Sequence, residues 1–231
     1  MKILFVILAL WLAAPVQAHD LWLARQDGEL RLHYGHAHSA HQGAQLIAYE
    51  PDWIQRTLCL DAAGDEIDLA PHATSPLRMP GQCAVAFVLT SSGYWTKTPY
   101  GTKNLPRAEA RMPIKSWLSY ESVKRIDQWN PTLARPLTEE LEITPLNDPL
   151  SLDTGRKLRL QITFRGEPLE GVVVAYDGKP RGQTGADGRI NLRIRHRGFQ
   201  IIQASVKRPD ATDKADEVIY ATSLNFELSE E

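Results

Sequence analysis

From residue 19 onward the chain reads mainly in twos. Leu30, Leu32 and Tyr34 fall on one side of an extended segment, and Arg31 and His33 fall on the other. That alternation marks a strand with one covered face. The same reading gives strands at residues 19–23, 29–34, 45–49, 55–60 and 83–90, separated by turn-forming stretches such as Ala63-Gly64-Asp65 and Pro80-Gly81. A second series lies at 159–164, 171–176, 189–195, 200–206 and 219–228. There Gly166-Glu167-Pro168 ends the first strand, Gly185-Ala186-Asp187-Gly188 makes a hairpin-like turn within the middle pair, and His196-Arg197-Gly198 breaks the next pair. Short strands at this spacing predict an all-β chain of two immunoglobulin-like or transthyretin-like β-sandwich domains, one over 19–95 and one over 138–231.

The stretch between them has a different pattern. Tyr94, Trp95, Tyr100, Trp117, Tyr120 and Trp129 are interleaved with Lys97, Lys103, Arg107, Arg111, Lys115, Lys124 and Arg125. Over 114–129 the apolar positions Trp117, Tyr120, Val123 and Ile126 recur in threes, which predicts a helix with one apolar stripe. Residues 96–137 are therefore expected to form a short, partly helical connection whose aromatics pack on both domains while its cations stay solvated. The other use of such a segment is docking an acidic partner or a membrane-protein loop. Aromatic and basic groups together also suit single-stranded nucleic acid, which the overall charge argues against.

The first eighteen residues break the strand rhythm altogether. Met1 and Lys2 precede an unbroken apolar run over 3–14, followed by Pro15-Val16-Gln17-Ala18. This is the pattern of a secretory signal peptide cut between Ala18 and His19, and the run is short for a membrane span. No cysteine stands at the cut, and no later segment approaches span length. The expected product is a periplasmic protein with no membrane span, beginning His19-Asp20-Leu21-Trp22. The whole chain holds 26 basic and 28 acidic residues; without Lys2 this becomes 25 against 28, a charge near −3. So weak a field favours neither nucleic acid nor an anionic membrane as partner. In an oxidising compartment the two cysteines, Cys59 and Cys83, read as a disulfide, with two reduced buried thiols as the alternative.

Candidate chemistry is concentrated in histidine. Five of the seven, His19, His33, His36, His38 and His41, fall within 23 residues, and imidazole is the commonest protein ligand for transition metals. A free N-terminal His19 adds its own α-amine, whose ordinary pKa of about 7.7–8.0 lets a metal displace the proton near neutral pH. Amine and Nδ1 close a chelate on one ion, and a second histidine completes a nitrogen-rich site suited to copper or nickel. His36, at the strand end beside Gly35, is the expected partner. His38 and His41 follow in a loop within reach and His33 points to the opposite face; isolated His72 and His196 read as structural, with completion of the metal's coordination in space as the alternative for either. No G-x-S-x-G, H-E-x-x-H, phosphate-binding or dinucleotide fingerprint is present, so no enzyme is expected. The one enzymatic alternative is a copper histidine-brace oxidase, for which no flat aromatic substrate face is evident.

Several segments carry a family resemblance. The H-D-L-W-L start, L-H-Y-G-H at 32–36, G-Y-W-T-K-T-P at 93–99, S-W-L-S-Y-E-S-V-K-R at 116–125, L-E-I-T-P-L-N-D-P at 141–149, F-R-G-E-P-L-E-G-V at 164–172 and T-G-A-D-G-R at 184–189 resemble the NikM-like periplasmic family. That family comprises domains of unknown function associated with nickel or cobalt uptake. The resemblance spans nearly all of the chain after residue 18, and the start and the G-Y-W-T-K-T block are its specific parts. It implies binding of nickel or cobalt (copper or zinc being the other candidates) and handover near a membrane transporter or outer-membrane receptor. His19 and the Gly35-His36 pair match the family pattern; His38, His41 and the cysteine pair do not belong to it.

Overall fold

Strand alternation and continuous apolar runs have separate causes in the structure, a computed structural model that describes residues 19–37, 45–69 and 75–230. Its first half contains β1 (Asp20–Gln26), β2 (Glu29–His36), β3 (Gln45–Leu46), β4 (Ile54–Leu60), β5 (Arg78–Met79), β6 (Val85–Thr98), β7 (Gly101–Lys103), β8 (Lys115–Ile126) and β9 (Glu142–Pro145). Its second half contains β10 (Lys157–Phe164), β11 (Glu167–Pro168), β12 (Val173–Tyr176), β13 (Lys179–Gln183), β14 (Arg189–Arg193), β15 (Gly198–Pro209) and β16 (Glu217–Leu228). The all-β expectation is met. Among the described residues the only helices are three 3₁₀ turns of three residues each.

The strands make three sheets. A large central sheet runs β13-β12-β15-β16-β8-β6-β4, with β7 added to β6, and so draws strands from both halves of the chain. One small sheet, β1-β2-β3 with β5 on β2, faces part of it; another, β11-β10-β14 with β9 on β10, faces the rest. Side-chain parity on β6 shows why its sequence is apolar without interruption. Ala86 and Val88 join Leu21, Leu23, Leu30, Leu32 and Met79 in one core. Val85 packs with Ile126, Ile143, Leu160 and Phe226 in the other. A strand covered on both faces loses its alternation, whereas β2, covered on one face, keeps it.

Two sequence expectations are corrected here. Of residues 114–129, 115–126 form strand β8, not a helix. β8 pairs antiparallel with β6 and parallel with β16, as in Trp95↔Trp117 and Tyr220↔Tyr120. The apolar spacing in threes misleads because Lys124 and Arg125 are also buried. Lys124 is neutralised by Glu142 inside the core, while Arg125 Nε meets Asp127 at 2.8 Å. The polar half of the strand's true period is thereby hidden from a hydropathy reading. Likewise, Gly185-Ala186-Asp187-Gly188 does not close a hairpin between the strands flanking it. The exposed strand β13 precedes it and pairs with β12, while β14 after it pairs with β10 in a different sheet.

The β1–β2 hairpin turns on Asp27-Gly28, both with positive φ (51° and 79°). A two-residue loop of this kind matches the strand twist and needs glycine or a short polar residue at both places. The resulting register pairs Gln26↔Glu29 through Asp20↔Gly35 without a slip. Side chains of the central sheet then dock β1. Asn225 accepts from Leu23 N (3.2 Å) and donates to Leu23 O (2.8 Å), Arg125 donates to Leu23 O (2.9 Å), and the Ser223 hydroxyl donates to Leu21 O. Below the hairpin, Cys59 of β4 and Cys83 are joined in a buried disulfide, as expected, with Cα atoms 5.2 Å apart.

Candidate functional site

Continuing the β1–β2 register by one step sets His19 directly opposite His36. Both then share the parity of Leu21, Leu23, Leu30, Leu32 and Tyr34, the inner face of the hairpin. The two rings lie past the end of that core, with centroids 5.0 Å apart and planes inclined by 60°. The adjoining ladder pair Asp20↔Gly35 brings the two chains together here, so the approach of the rings costs little entropy beyond what the ladder has already taken.

Three further groups complete the surroundings. The Tyr34 ring stands edge-on to His19 (5.0 Å, 74°), and its hydroxyl meets His19 Nδ1 at 2.9 Å. Burial, helped by the nearby Glu121 charge, raises the Tyr34 phenol above its ordinary range. The phenol therefore keeps its proton and shares one hydrogen bond with Nδ1. Asp20 accepts from Ala37 N (2.8 Å) on one oxygen and from the Gln203 amide on the other, which ties the hairpin end to β15. Glu121, half-buried on β8, is pushed up to about 7, chiefly by desolvation and further by the charge of Asp20, with the Ser119 hydroxyl opposing. His19 itself is held below its usual value by partial desolvation and by His36, against a smaller pull from Asp20.

These groups open onto a cleft of ≈ 540 Å³ between the hairpin end and the central sheet. His19, Asp20 and His36 form one wall, and Glu121, Gln203, Ala221 and Ser223 line the floor. The far wall is the β12–β13 turn with Asp177 and Lys179. His196 braces that turn: its Nε2 lies 2.9 Å from Asp177, and its ring stacks on Tyr176.

Of the histidines singled out by sequence, the structure joins His19 and His36. His33 lies on the outer face, stacked on Trp22 at 5.4 Å. His196 pairs with Asp177. His38, His41 and His72 lie outside the described residues, as does Ala18. Among the described residues, no three His, Cys, Asp or Glu side chains come together closely enough to hold an ion. Sequence reasoning missed Asp20, Tyr34, Glu121 and Gln203. Asp20 and Tyr34 were open to discovery through the Asp27-Gly28 turn, which fixes the register; Glu121 and Gln203 arrive from distant strands with no local signal.

Also among the described residues, no helix is long and apolar enough to cross a membrane. No curated protein matches the chain in sequence. A family model, Domain of unknown function (DUF4198), matches residues 16–208. That match takes in the histidine hairpin, the central-sheet strands other than β16, and the cleft lining except Ala221, Thr222 and Ser223 of β16, and the chain belongs to this family.

Proposed function

We propose that the chain is an exported periplasmic protein that binds a divalent transition metal, nickel or cobalt before copper or zinc, in support of its uptake. The observation that carries this reading is the cross-strand pair His19–His36 with ring centroids 5.0 Å apart at the mouth of a cleft. Removal of residues 1–18 would free the His19 amine next to that pair. Amine, His19 imidazole and His36 imidazole then supply three nitrogen donors, a set matched to square-planar or tetragonal ions. The buried disulfide suits an oxidising compartment, and the resemblance to the NikM-like family favours nickel or cobalt. His38 and His41 are proposed as auxiliary ligands from their sequence positions alone.

Isothermal titration with nickel tests the reading, comparing protein that begins at His19 with protein carrying one extra residue before it. Affinity is expected to fall at least tenfold in the extended form; equal affinity removes the amine from the site. A second reading, a metal-free module docking a membrane transporter or receptor, has one observation in its favour. Exposed Tyr100, Met112 and Ile114 share one end of the central sheet with Lys97, Lys103 and Arg111. Replacing His36, His38 and His41 by alanine separates the two: metal binding is lost in the first reading, and the native protein binds no metal in the second.

A further inference from the structure

We infer that the cleft takes its metal as a complex with a small amino-carboxylate chelator, the organic part lying on the sheet floor between the histidine pair and Lys179. This rests on the metal reading above and deepens it. Size is the first argument. At roughly 30 Å³ per water, a cleft of ≈ 540 Å³ far exceeds an ion with its hydration shell, and it falls in the range of small-molecule sites. The floor is built for an occupant of that size. Ala175, Ser205, Ala221 and Ser223, from β12, β15 and β16, all line it with short side chains, so the sheet recedes beside His19 and His36.

Coordination gives the second argument. Three protein nitrogens leave at least one position of a square-planar ion, and more of an octahedral one, to a ligand from solution. His19 and His36 border the cleft, so that ligand would extend over the floor. Charge gives the third. Asp20 and Glu121 stand near the histidines and disfavour a strongly anionic chelator there, while on the opposite wall Lys179 stands beside Asp177, whose carboxylate is engaged by His196 Nε2 at 2.9 Å. Among the described residues no ion pair engages Lys179. A ligand with a nitrogen donor at the metal end and a carboxylate at the other, as in histidine held to the metal through its imidazole, complements both walls.

Native mass spectrometry of the exported protein, with His19 verified as its first residue, provides the test. Three probes are offered: nickel alone, nickel with one equivalent of L-histidine, and nickel with citrate. The expected result is a ternary protein–nickel–histidine ion with no citrate counterpart. Lys179→Ala and Ser205→Leu are expected to weaken the ternary complex at least tenfold while nickel alone binds as before. Both positions are exposed, so neither change disturbs the core. A protein–nickel ion that excludes histidine overturns the inference and leaves the metal reading standing, and citrate retained as well as histidine overturns the amino-carboxylate assignment. No nickel bound from any probe sinks the metal reading and this inference together.

Discussion

At the scale of single residues, the chemistry turns on what already occupies the ligand atoms. His19 Nδ1 is hydrogen-bonded to the Tyr34 hydroxyl at 2.9 Å, so chelation by the amine and Nδ1 must displace that bond. A neutral hydrogen bond is worth about 0.5–1.5 kcal/mol net. Tyr34→Phe is therefore expected to raise nickel affinity by about threefold to tenfold in titration calorimetry; an unchanged or reduced affinity would point to His19 Nε2 as the ligand atom. Glu121 makes a separate, pH-dependent prediction. Its folded pKa, about 7, lies above the ordinary carboxylate value of 4.5, so the folded state binds a proton more tightly than the unfolded chain. Stability is then lost as pH rises from the ordinary value through 7 and stays low above it. Glu121→Gln is expected to stabilise the metal-free protein at pH 8, by on the order of 2 kcal/mol after allowance for its partial exposure, and to have little effect at pH 4. Denaturant unfolding at the two pH values checks it, and equal effects at both would refute the burial argument.

At the scale of elements, what could be read from the sequence divides by how many faces a strand covers. The one-sided β2 was legible from Leu30, Leu32 and Tyr34, and the carboxy-terminal strands from their turns. β8 was not, because it is buried on both faces and carries charged residues inside. Lys124 is 2% exposed and its partner Glu142 fully buried. Glu142 also accepts from Leu137 N, Thr138 N and the Thr138 hydroxyl, at 2.9, 2.9 and 2.7 Å. The pair thus pins β8 to the start of β9 and neutralises a cation that a hydropathy pattern assigns to solvent. Removing one partner strands the other charge in the core. Lys124→Met is expected to cost about 3–5 kcal/mol of unfolding free energy, while Lys124→Met combined with Glu142→Gln recovers part of that loss. A single variant as stable as the native protein would show that water reaches Glu142.

At the scale of the whole molecule, the site depends on parts far apart in the chain. The histidine hairpin is local in sequence and was therefore visible in it. Its floor is not local, because Glu121, Gln203 and Ala221 come from strands that meet only after β8 and β16 have paired in parallel. The disulfide acts at this scale too. Cys59 and Cys83 close a loop with a sequence separation of 24 that carries β5, the strand paired with Leu30 and Arg31 of β2. Loop-closure entropy for such a loop corresponds to roughly 3.5 kcal/mol. In a chain of this length that is a drop in Tm of about 10 °C. The same core holds Leu77 and Met79 against Leu21 and Leu32, so loosening the loop loosens the support of the histidine pair. Cys59→Ala with Cys83→Ala is accordingly expected to lower Tm by about that amount and to weaken nickel binding less than tenfold, since no ligand is removed. Calorimetry and titration on the same preparation separate the two effects. An unchanged Tm would mean that β4–β6 pairing alone, from Ile54↔Thr90 to Leu60↔Val85, orders the loop beneath the site.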